Sequence, residues 1–240
     1  MFRSTQFTSD VGLGRVAVAA FALGFVLALH LALLVYVLAA VGVTQSDTWA
    51  CVAVWCVYAV ALCFFHLAEF MVTASFKPSI VSYESFLLNH SKEYHAALLA
   101  SALEFAVETL LAPGFKVTAW SLVLGLALVV GGQVVRIAAM WTAASNFSHR
   151  IEYVKRKDHV LVKHGIYKFV RHPSYMGWFW WTVGSQVLLA NPVCALGFAA
   201  VSWSFFRDRI PYEEDLLLQF FPDEYPSYRR STFSGVPFVA

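Results

Sequence analysis

The sequence predicts an all-α, polytopic integral membrane protein with about six transmembrane helices. Hydrophobic residues make up 59% of the 240 residues and charged residues only 13%, whereas typical soluble domains carry about 25% charged residues. So few charged side chains cannot cover a globule in water, and lipid must therefore solvate much of the surface. The chain has no Gly-Ser linker or internal repeat, so we expect a single membrane domain over residues 1–240.

Four apolar runs precede the first long polar segment. They cover residues 14–43, 47–73, 94–111 and 117–142, and crossing a bilayer takes roughly 20 mostly apolar residues. We therefore expect four membrane helices within residues 14–142.

The last apolar block, residues 176–206, is interrupted in its middle by Asn191-Pro192. A single helix would contain a breaker, and two full spans of roughly 20 residues each would not fit. The block therefore predicts a hairpin of two short or tilted helices that turns at Asn191-Pro192. Both ends of such a hairpin lie on the same side of the membrane.

The distribution of basic residues supports this arrangement of helices. When successive loops are assigned to alternate sides of the membrane, nearly all basic residues fall on one side. One side receives only Lys116. The other receives Arg3, Arg15, Lys77, Lys92, Arg150, Lys155, Arg156, Lys157, Lys163, Lys168, Arg171, Arg207, Arg209, Arg229 and Arg230. The positive-inside rule then predicts six crossings with both termini in the cytosol. Residues 145–175 and the segment after residue 206 share that face, and we expect any cytosolic site to be built from these two segments.

Five ionisable residues lie deep in or near the ends of the apolar runs, where an unpaired charge is costly: His66, Glu69, Glu104, Glu108 and Arg136. Glu104 and Glu108 are four residues apart and share a helix face, and Arg136 lies in the next run. Either one of the glutamates pairs with Arg136 between helices, or the group forms the polar wall of a cavity or a proton path. The acidic residues cluster near one end of the spans, which argues against a transporter.

The first polar segment ends at the hairpin. Residues 158–167 alternate polar and apolar side chains and predict an extended piece that turns at Gly165. Pro173 suits the first turn of a helix, and the N–H groups of Ser174, Tyr175 and Met176 would then point outward, available to an anion.

A basic run and three histidines in this segment do not require a functional explanation. The basic run at residues 155–157 is typical of contact with lipid head groups. His159, His164 and His172 lack the spacing of metal ligands and have no cysteine nearby, so no metal site is expected.

The second polar segment follows the hairpin. Acidic residues 213–215 come directly after Pro211, and this order favours a helix that starts at Pro211. Its apolar face, "LLLQFF", is too short to cross the bilayer, and we expect it at the membrane interface. Together the residues predict a cytosol-facing membrane site of mixed charge, without naming its chemistry.

Four stretches carry a family resemblance. "RHPSYMGWFWWTVGSQVLLANP", "FFRDRIPYEEDLLLQFFPDEYPSYRR", "SFLLNHSKEYHAALL" and "WTAASNFSH" resemble the isoprenylcysteine carboxyl methyltransferase family, with similarity from about residue 14 to the C-terminus. The pattern RHPxYxG with a later Glu-Glu is shared with phospholipid N-methyltransferases. The other two stretches favour the isoprenylcysteine branch.

The resemblance implies a reaction and a place. S-adenosylmethionine would give its methyl group to the C-terminal carboxylate of a farnesyl- or geranylgeranyl-cysteine, leaving S-adenosylhomocysteine. The partners would be membrane lipid and processed CaaX proteins such as small GTPases, with no nucleic acid. The location would be the endoplasmic reticulum membrane, with the site facing the cytosol. Animal members commonly have eight membrane helices, two more than are expected here.

The resemblance also assigns residues, all within residues 145–240, which would hold the cofactor segment, the hairpin and a C-terminal catalytic segment. The residues assigned to the cofactor are Glu152, His159, Val160, Leu161, Val162, Tyr167, His172, Pro173, Ser174, Tyr175 and Glu213. Arg209 matches the substrate-binding arginine, and Arg209 and Glu213 are the expected catalytic residues. Glu213 is preferred to Glu214 for the cofactor, and Glu152 stands where the family often has Gln.

Physical chemistry is compatible with these roles. An α-carboxylate has a pKa of about 3.5 and is already ionised at neutral pH, so no general base is needed. Catalysis then depends on orientation and on attraction between carboxylate and sulfonium in a medium of low dielectric constant. Because a bidentate grip would blunt the nucleophile, we expect Arg209 to make a single contact. The prenyl chain would enter from the lipid.

Two other functions remain open from the sequence. One is a phospholipid N-methyltransferase-like enzyme, which would act on an amine and have less use for Arg209. The other is a lipid-binding or transport membrane protein without catalysis, which the polar segments on one face and the few midplane charges argue against.

Overall fold

The computed structural model describes residues 5–42, 46–89 and 91–239. Arg3, the end of the first apolar run at Val43, and His90 of the "SFLLNHS" stretch lie outside the described residues. No strand occurs in the described part, where one isolated parallel bridge joins Val170 to Phe233. The predicted all-α class is confirmed.

Helices account for most of the described chain. The α-helices are α1 (Thr5–Thr8), α2 (Leu13–Tyr36), α3 (Asp47–Phe76), α4 (Lys92–Leu111), α5 (Ala119–Ala143), α6 (Pro173–Leu188), α7 (Pro192–Phe220) and α8 (Tyr225–Ser231). A π-helical turn at Val37–Val41 extends α2. Short 3₁₀ turns occur at Pro78–Ile80, Tyr83–Phe86, Pro113–Val117, Ala144–Asn146 and Gly165–Lys168.

Four helices are long and apolar enough to cross a membrane, and they coincide with the four predicted runs. They are Leu13–Val41, Asp47–Phe76, Lys92–Leu111 and Ala119–Asn146. Two of them begin at serine caps, because the hydroxyl oxygens of Ser46 and Ser91 accept hydrogen bonds from the N–H groups three residues later, which would otherwise be unpaired. The protein is therefore a membrane protein, and the total of six crossings stays a prediction.

The predicted hairpin is present. Helix α6 ends at Leu188 and α7 begins at Pro192, where a proline costs no hydrogen bond because the first helical N–H has no intrahelical partner. The carboxylate of Glu104 accepts hydrogen bonds from the N–H groups of Val193 and Cys194, both at 2.7 Å. A carboxylate at a helix N-terminus is favourable because the helix dipole is positive there.

The described residues form two compact units. One contains the chain up to Ala127 together with Gly184–Ala195, and the other contains Leu128–Val183 together with the chain from Leu196 onward.

The first unit buries a lysine. The ammonium of Lys116, which is 0% exposed, donates to the carboxylate of Glu108, to the carbonyls of Leu189 and Ala190 at 3.2 and 2.9 Å, and to Asn191 Oδ1 at 2.8 Å. These acceptors offset the cost of burying the charge. The lysine thus binds the hairpin turn.

The predicted pairing of Glu104 or Glu108 with Arg136 is wrong. Glu104 caps α7 and Glu108 binds Lys116, while the guanidinium of Arg136 donates to the carbonyl and the hydroxyl of Ser174 at 3.2 and 3.0 Å. The reason is that donors within the first unit, the α7 N-terminus and a buried ammonium, satisfy both carboxylates.

In the second unit, α5 and α6 approach each other at a pair of glycines. A Cβ atom on Gly132 would lie 2.6 Å from the carbonyl oxygen of Gly177 and 2.6 Å from the N atom of Trp181. Such distances are far inside van der Waals contact, and backbone atoms cannot rotate away as a side chain can. Hydrogen side chains therefore permit a backbone-to-backbone crossing, as small residues do in membrane helix pairs.

A helix does not start at Pro211, and that prediction is wrong. Helix α7 runs without a break from Pro192 to Phe220, with Pro211 inside it. Proline removes one intrahelical hydrogen bond, but Ile210 is fully buried, and Glu213 and Glu214 bind residues of α6 and the segment before it. Tertiary contacts on both sides of Pro211 hold the helix together.

Candidate functional site

A cavity of about 120 Å³ with both polar and apolar walls lies in the second unit. Its walls come from the end of α5, the loop after it, the start of α6, and helices α7 and α8. The lining residues are Ala143, Asn146, Phe147, Ser148, His159, Val160, Leu161, Val162, Tyr167, Arg171, His172, Pro173, Ser174, Tyr175, Glu213, Leu217, Tyr225 and Tyr228. Apart from Ala143, all lining residues belong to the two polar segments on either side of the hairpin, 145–175 and the segment after residue 206.

Ten of the eleven residues assigned to the cofactor by resemblance lie in this lining. The exception is Glu152, whose carboxylate pairs with Arg156 at 2.9 Å and lies 4.0 Å from Nδ1 of the lining residue His159. Arg209 does not line the cavity either. Their roles as cofactor and substrate contacts stay predictions.

The loop after α5 presents an extended stretch to the cavity. The side-chain oxygen of Asn146 accepts a hydrogen bond from the N–H of Val160 at 2.9 Å. The next two N–H groups, of Leu161 and Val162, make no hydrogen bond within the described part of the chain. The predicted turn at Gly165 is confirmed: its φ is +57°, and a Cβ there would lie 2.9 Å from the Cγ2 of Thr142.

The loop is bound to the end of α7. The Lys155 ammonium donates to the carbonyl of Phe220 at 2.6 Å and lies 4.2 Å from the ring centroid of Phe221. The His159 ring packs on the same two phenylalanines, and burial lowers the pKa of His159 and favours its neutral form. Since Arg156 donates to the carbonyl of Ser145 at 3.1 Å, two of the three cations in the basic run have partners within the chain.

The start of α6 does not offer three outward N–H groups, and that prediction is wrong. The N–H groups of Tyr175 and Met176 donate to the carbonyl of His172 at 3.1 and 3.0 Å. The first turn is closed by this carbonyl, which acts as a backbone cap. Of the three, only the N–H of Ser174 makes no hydrogen bond to the described residues.

The C-terminal segment holds the chain just before α6. The N–H of Arg171 donates to the carbonyl of Phe233 at 3.0 Å, and the N–H of His172 donates to the carbonyl of Ser234 at 3.2 Å. A further hydrogen bond runs from Arg171 Nη1 to the carbonyl of Thr232 at 2.8 Å. No local pattern in the sequence indicates this pairing, because the tail has neither strand length nor alternation.

Glu213 and Arg209 meet on Tyr175 at one edge of the cavity. The Tyr175 hydroxyl donates to Glu213 Oε2 at 2.5 Å and accepts from Arg209 Nε at 2.9 Å. A second nitrogen, Nη2 of Arg209, donates to the carbonyl of His149 at 2.8 Å. The guanidinium is thereby fixed one side chain away from the cavity, and its remaining nitrogen makes no hydrogen bond to the described residues.

Glu214 has a different environment. It is 1% exposed, and its carboxylate binds Arg171 Nε at 2.5 Å, His172 Nε2 at 3.0 Å and Arg229 Nε at 2.8 Å. Burial alone would raise the pKa of Glu214, but the hydrogen bonds from His172 and Arg171 outweigh it and lower the pKa. Glu214 is thus an ionised anchor of the site, whereas Glu213 faces the cavity.

Several lining residues were not identified from the sequence. They are Ala143, Asn146, Phe147, Ser148, Arg171, Leu217, Tyr225 and Tyr228. All eight lie in the stretches that carry the family resemblance, but no role was assigned to them. The four-residue spacing of Leu217 from Glu213 places it on the same helix face, whereas no spacing of this kind marks the two tyrosines of α8.

Fold and site together define a class: a polytopic helical membrane protein with a cavity of mixed polar and apolar lining at the open end of a helical hairpin. The model of the isoprenylcysteine carboxyl methyltransferase family matches residues 123–219. A solved structure of the eukaryotic intramembrane Ras methyltransferase is similar, with a TM-score of 0.86 and 37% identity, over 98% of this chain and 80% of that chain.

Curated relatives agree with this match. The protein-S-isoprenylcysteine O-methyltransferase of Dictyostelium discoideum is 47% identical over 75% of this chain and 76% of that protein. That of Saccharomyces cerevisiae is 46% identical over 76% of this chain and 79% of that protein. The chain therefore belongs to the isoprenylcysteine carboxyl methyltransferase family. It covers 63% of the length of the Xenopus laevis relative, which is 47% identical.

Proposed function

We propose that the protein transfers the methyl group of S-adenosylmethionine to the C-terminal carboxylate of a prenylcysteine on processed CaaX proteins. The observation that carries this proposal is the hydrogen-bonded series Arg209–Tyr175–Glu213. The Arg209 cation is suited to bind the carboxylate of a methyl acceptor. The Glu213 side chain, which lines the cavity, is suited to bind a methyl donor. Family membership and the names of the relatives support it.

The lining of the cavity fits the proposed cofactor. Glu213 supplies a carboxylate that can accept from an ammonium group or from ribose hydroxyls, since ionised carboxylates only accept. The unpaired N–H groups of Leu161 and Val162 can bind the polar edge of a purine, while the side chains of Leu161 and Leu217 can contact its apolar face. When bound, S-adenosylmethionine supplies an electrophilic methyl group on a sulfonium.

The acceptor needs orientation more than activation. A prenylcysteine carboxylate is ionised at neutral pH, so the site has no proton to remove. The Arg209 guanidinium is held by Tyr175 and by the carbonyl of His149 and has a nitrogen left for one carboxylate oxygen. A cation fixed in advance stabilises the approach without reorganising during the reaction, and a single contact leaves the second oxygen nucleophilic.

Tyr175 sets the distance between the two substrates. Because its hydroxyl binds both Glu213 and Arg209, the group that holds the donor and the group that holds the acceptor cannot move independently. Fixing two reactants in this way removes much of the entropic cost of bringing them together.

The proposal includes a location. The site would face the cytosol from the endoplasmic reticulum membrane, as the distribution of basic residues supports. The prenyl chain would reach Arg209 from the lipid and the cofactor would come from water. The acceptors would include prenylated small GTPases.

Offering two acceptors to the purified chain tests this proposal. With labelled S-adenosylmethionine, we expect label in N-acetyl-S-farnesylcysteine and none in phosphatidylethanolamine. Label in the phospholipid alone would favour an N-methyltransferase. A folded chain that binds the cofactor and labels neither acceptor would contradict the proposed function.

A further inference from the structure

Tyr225 carries a buried hydroxyl that the proposed reaction does not use. The residue is 0% exposed and lines the cavity, yet its hydroxyl makes no hydrogen bond to any residue that the structure describes. Buried tyrosine hydroxyls normally have a partner. The neighbouring Tyr228 follows this rule, since its hydroxyl donates to the carbonyl of Tyr167 at 2.8 Å.

The missing partner of Tyr225 must be an acceptor. Burial is the main cause that raises the pKa of the Tyr225 hydroxyl, and the nearby charge of Glu214 adds to it. The hydroxyl therefore keeps its proton at neutral pH and donates. A ligand that satisfies it must present a nitrogen or oxygen lone pair.

Helix α7 gives the position of this donor along the cavity. Arg209, Glu213 and Leu217 follow one another at intervals of four residues on one helix face, about 6 Å apart along the axis. The reacting groups belong at the Arg209–Glu213 end. Leu217 lies about 12 Å from Arg209 along the axis, and it packs with Leu161 against the cluster that contains Tyr225.

The cavity wall around the Tyr225 ring is mainly apolar, although the charges of Glu214 and Arg171 act on its hydroxyl. Phe221, Tyr225 and Tyr228 form a buried cluster, and Leu161, Leu217, Leu218 and Phe220 pack against it. A flat, apolar ring with acceptor atoms on its edge matches such a wall with one hydroxyl donor. The amino-acid part of the cofactor, which carries two charges, matches the Glu213 end better.

We propose that the Tyr225 hydroxyl binds the nucleoside part of the methyl donor by donating a hydrogen bond to an acceptor atom of the purine or ribose. This assignment rests on the proposed function, because it assumes that the cavity binds a sulfonium nucleoside. It adds a positioning residue on α8 to those assigned by family resemblance.

Binding measurements on two tyrosine variants test the assignment. The probes are S-adenosylhomocysteine and 5′-methylthioadenosine, which lacks the amino-acid carboxylate and amine, each titrated calorimetrically into the purified full-length chain. We expect Tyr225→Phe to weaken both by a similar factor, about five- to tenfold, as for one neutral hydrogen bond. Its melting temperature without ligand should match the wild type, because the hydroxyl has no partner in the described chain.

Tyr228→Phe is the matched control. It removes a hydroxyl whose hydrogen bond lies within the protein, so we expect a lower melting temperature without ligand. Unchanged affinity of Tyr225→Phe for both probes would overturn the assignment, and weakening of S-adenosylhomocysteine alone would overturn the nucleoside placement. A wild-type chain that binds neither probe would overturn the proposed function itself, and this assignment with it.

Discussion

The guanidinium of Arg209 donates a hydrogen bond from Nε to the hydroxyl oxygen of Tyr175 at 2.9 Å. The two residues lie 34 positions apart, one on each helix of the hairpin. The contact links the proposed acceptor site to the cavity, since the same hydroxyl donates to Glu213. Both residues belong to the second unit. The site thus depends on the packing of the two hairpin helices within that unit.

Arg209→Ala should separate binding from turnover. The affinity for S-adenosylhomocysteine should stay near the wild-type value, because Arg209 does not line the cavity. Turnover should fall by about 10²–10³, as for the loss of one fixed electrostatic contact. The matched control is Arg207→Ala, since Arg207 is exposed and its contacts in the described chain are with Asp208 and the Trp203 ring on its own helix. An equal loss of binding and turnover in Arg209→Ala would mean that the arginine is structural.

Glu214→Gln should destabilise the chain in a pH-dependent way. The substitution leaves Arg171 and Arg229 without their shared carboxylate, which we expect to cost about 3–5 kcal/mol, the range for breaking a buried pair. Because folding lowers the pKa of Glu214, its contribution is full above the unfolded pKa, about 4.3, and disappears as the pH falls through the lower folded pKa.

Thermal unfolding in detergent from pH 8 to pH 2 measures this effect. The difference in melting temperature between wild type and Glu214→Gln should be constant at neutral pH and shrink on acidification. A difference that grows as the pH falls would contradict the ion cluster. Asp215→Asn, one residue along the helix, is the control and should have little effect, because Asp215 makes no ion pair in the described part of the chain.

Gly132→Ala should disrupt the second unit, whereas Gly131→Ala should not. The added methyl at residue 132 would meet backbone atoms of Gly177 and Trp181 at 2.6 Å, and the same change at residue 131 meets nothing within 4 Å. Both substitutions improve intrinsic helix propensity by up to about 1 kcal/mol. A difference in stability between the two variants therefore comes from the close crossing of α5 and α6. Yield of folded protein on size-exclusion chromatography is the measurement, and equal yields would argue against the close crossing.

Lys116→Met should destabilise the hairpin turn. It removes the donor that binds Glu108 and the carbonyls of Leu189 and Ala190, and we expect a loss of about 3 kcal/mol or more. Lys92→Met, at the exposed start of α4, should be close to neutral. The melting temperature in detergent distinguishes the two, and similar values would show that the buried ammonium does not stabilise the turn.

Much of the fold could be predicted because membrane helices have a simple signal. Runs of about 20 apolar residues located the four long helices, and a proline in the middle of a fifth run located the turn at Asn191-Pro192. Family resemblance assigned eleven residues to a cofactor, and ten of them line one cavity, while their binding role stays a prediction.

Two of the wrong predictions, those about Glu104 and Pro211, share a physical origin in tertiary contacts. Both predictions relied on sequence neighbours. The partner of Glu104 is instead the N-terminus of α7, and the helix continues through Pro211 because Glu213 and Glu214 have partners in and before α6. The hydroxyl of Tyr225 is similar, since a buried donor without a partner becomes visible only when the side chains around it are in place.

The most direct test of the proposed function is the chemical nature of the methylated product. The purified chain is incubated with N-acetyl-S-farnesylcysteine and S-adenosylmethionine labelled on the methyl group, and the product is treated with base. A methyl ester, but not an N-methyl group, releases labelled methanol on alkaline hydrolysis. We predict volatile label from the wild type and a loss of about 100-fold in Arg209→Ala. Base-stable label, or none from a chain that binds the cofactor, would contradict carboxylate methylation.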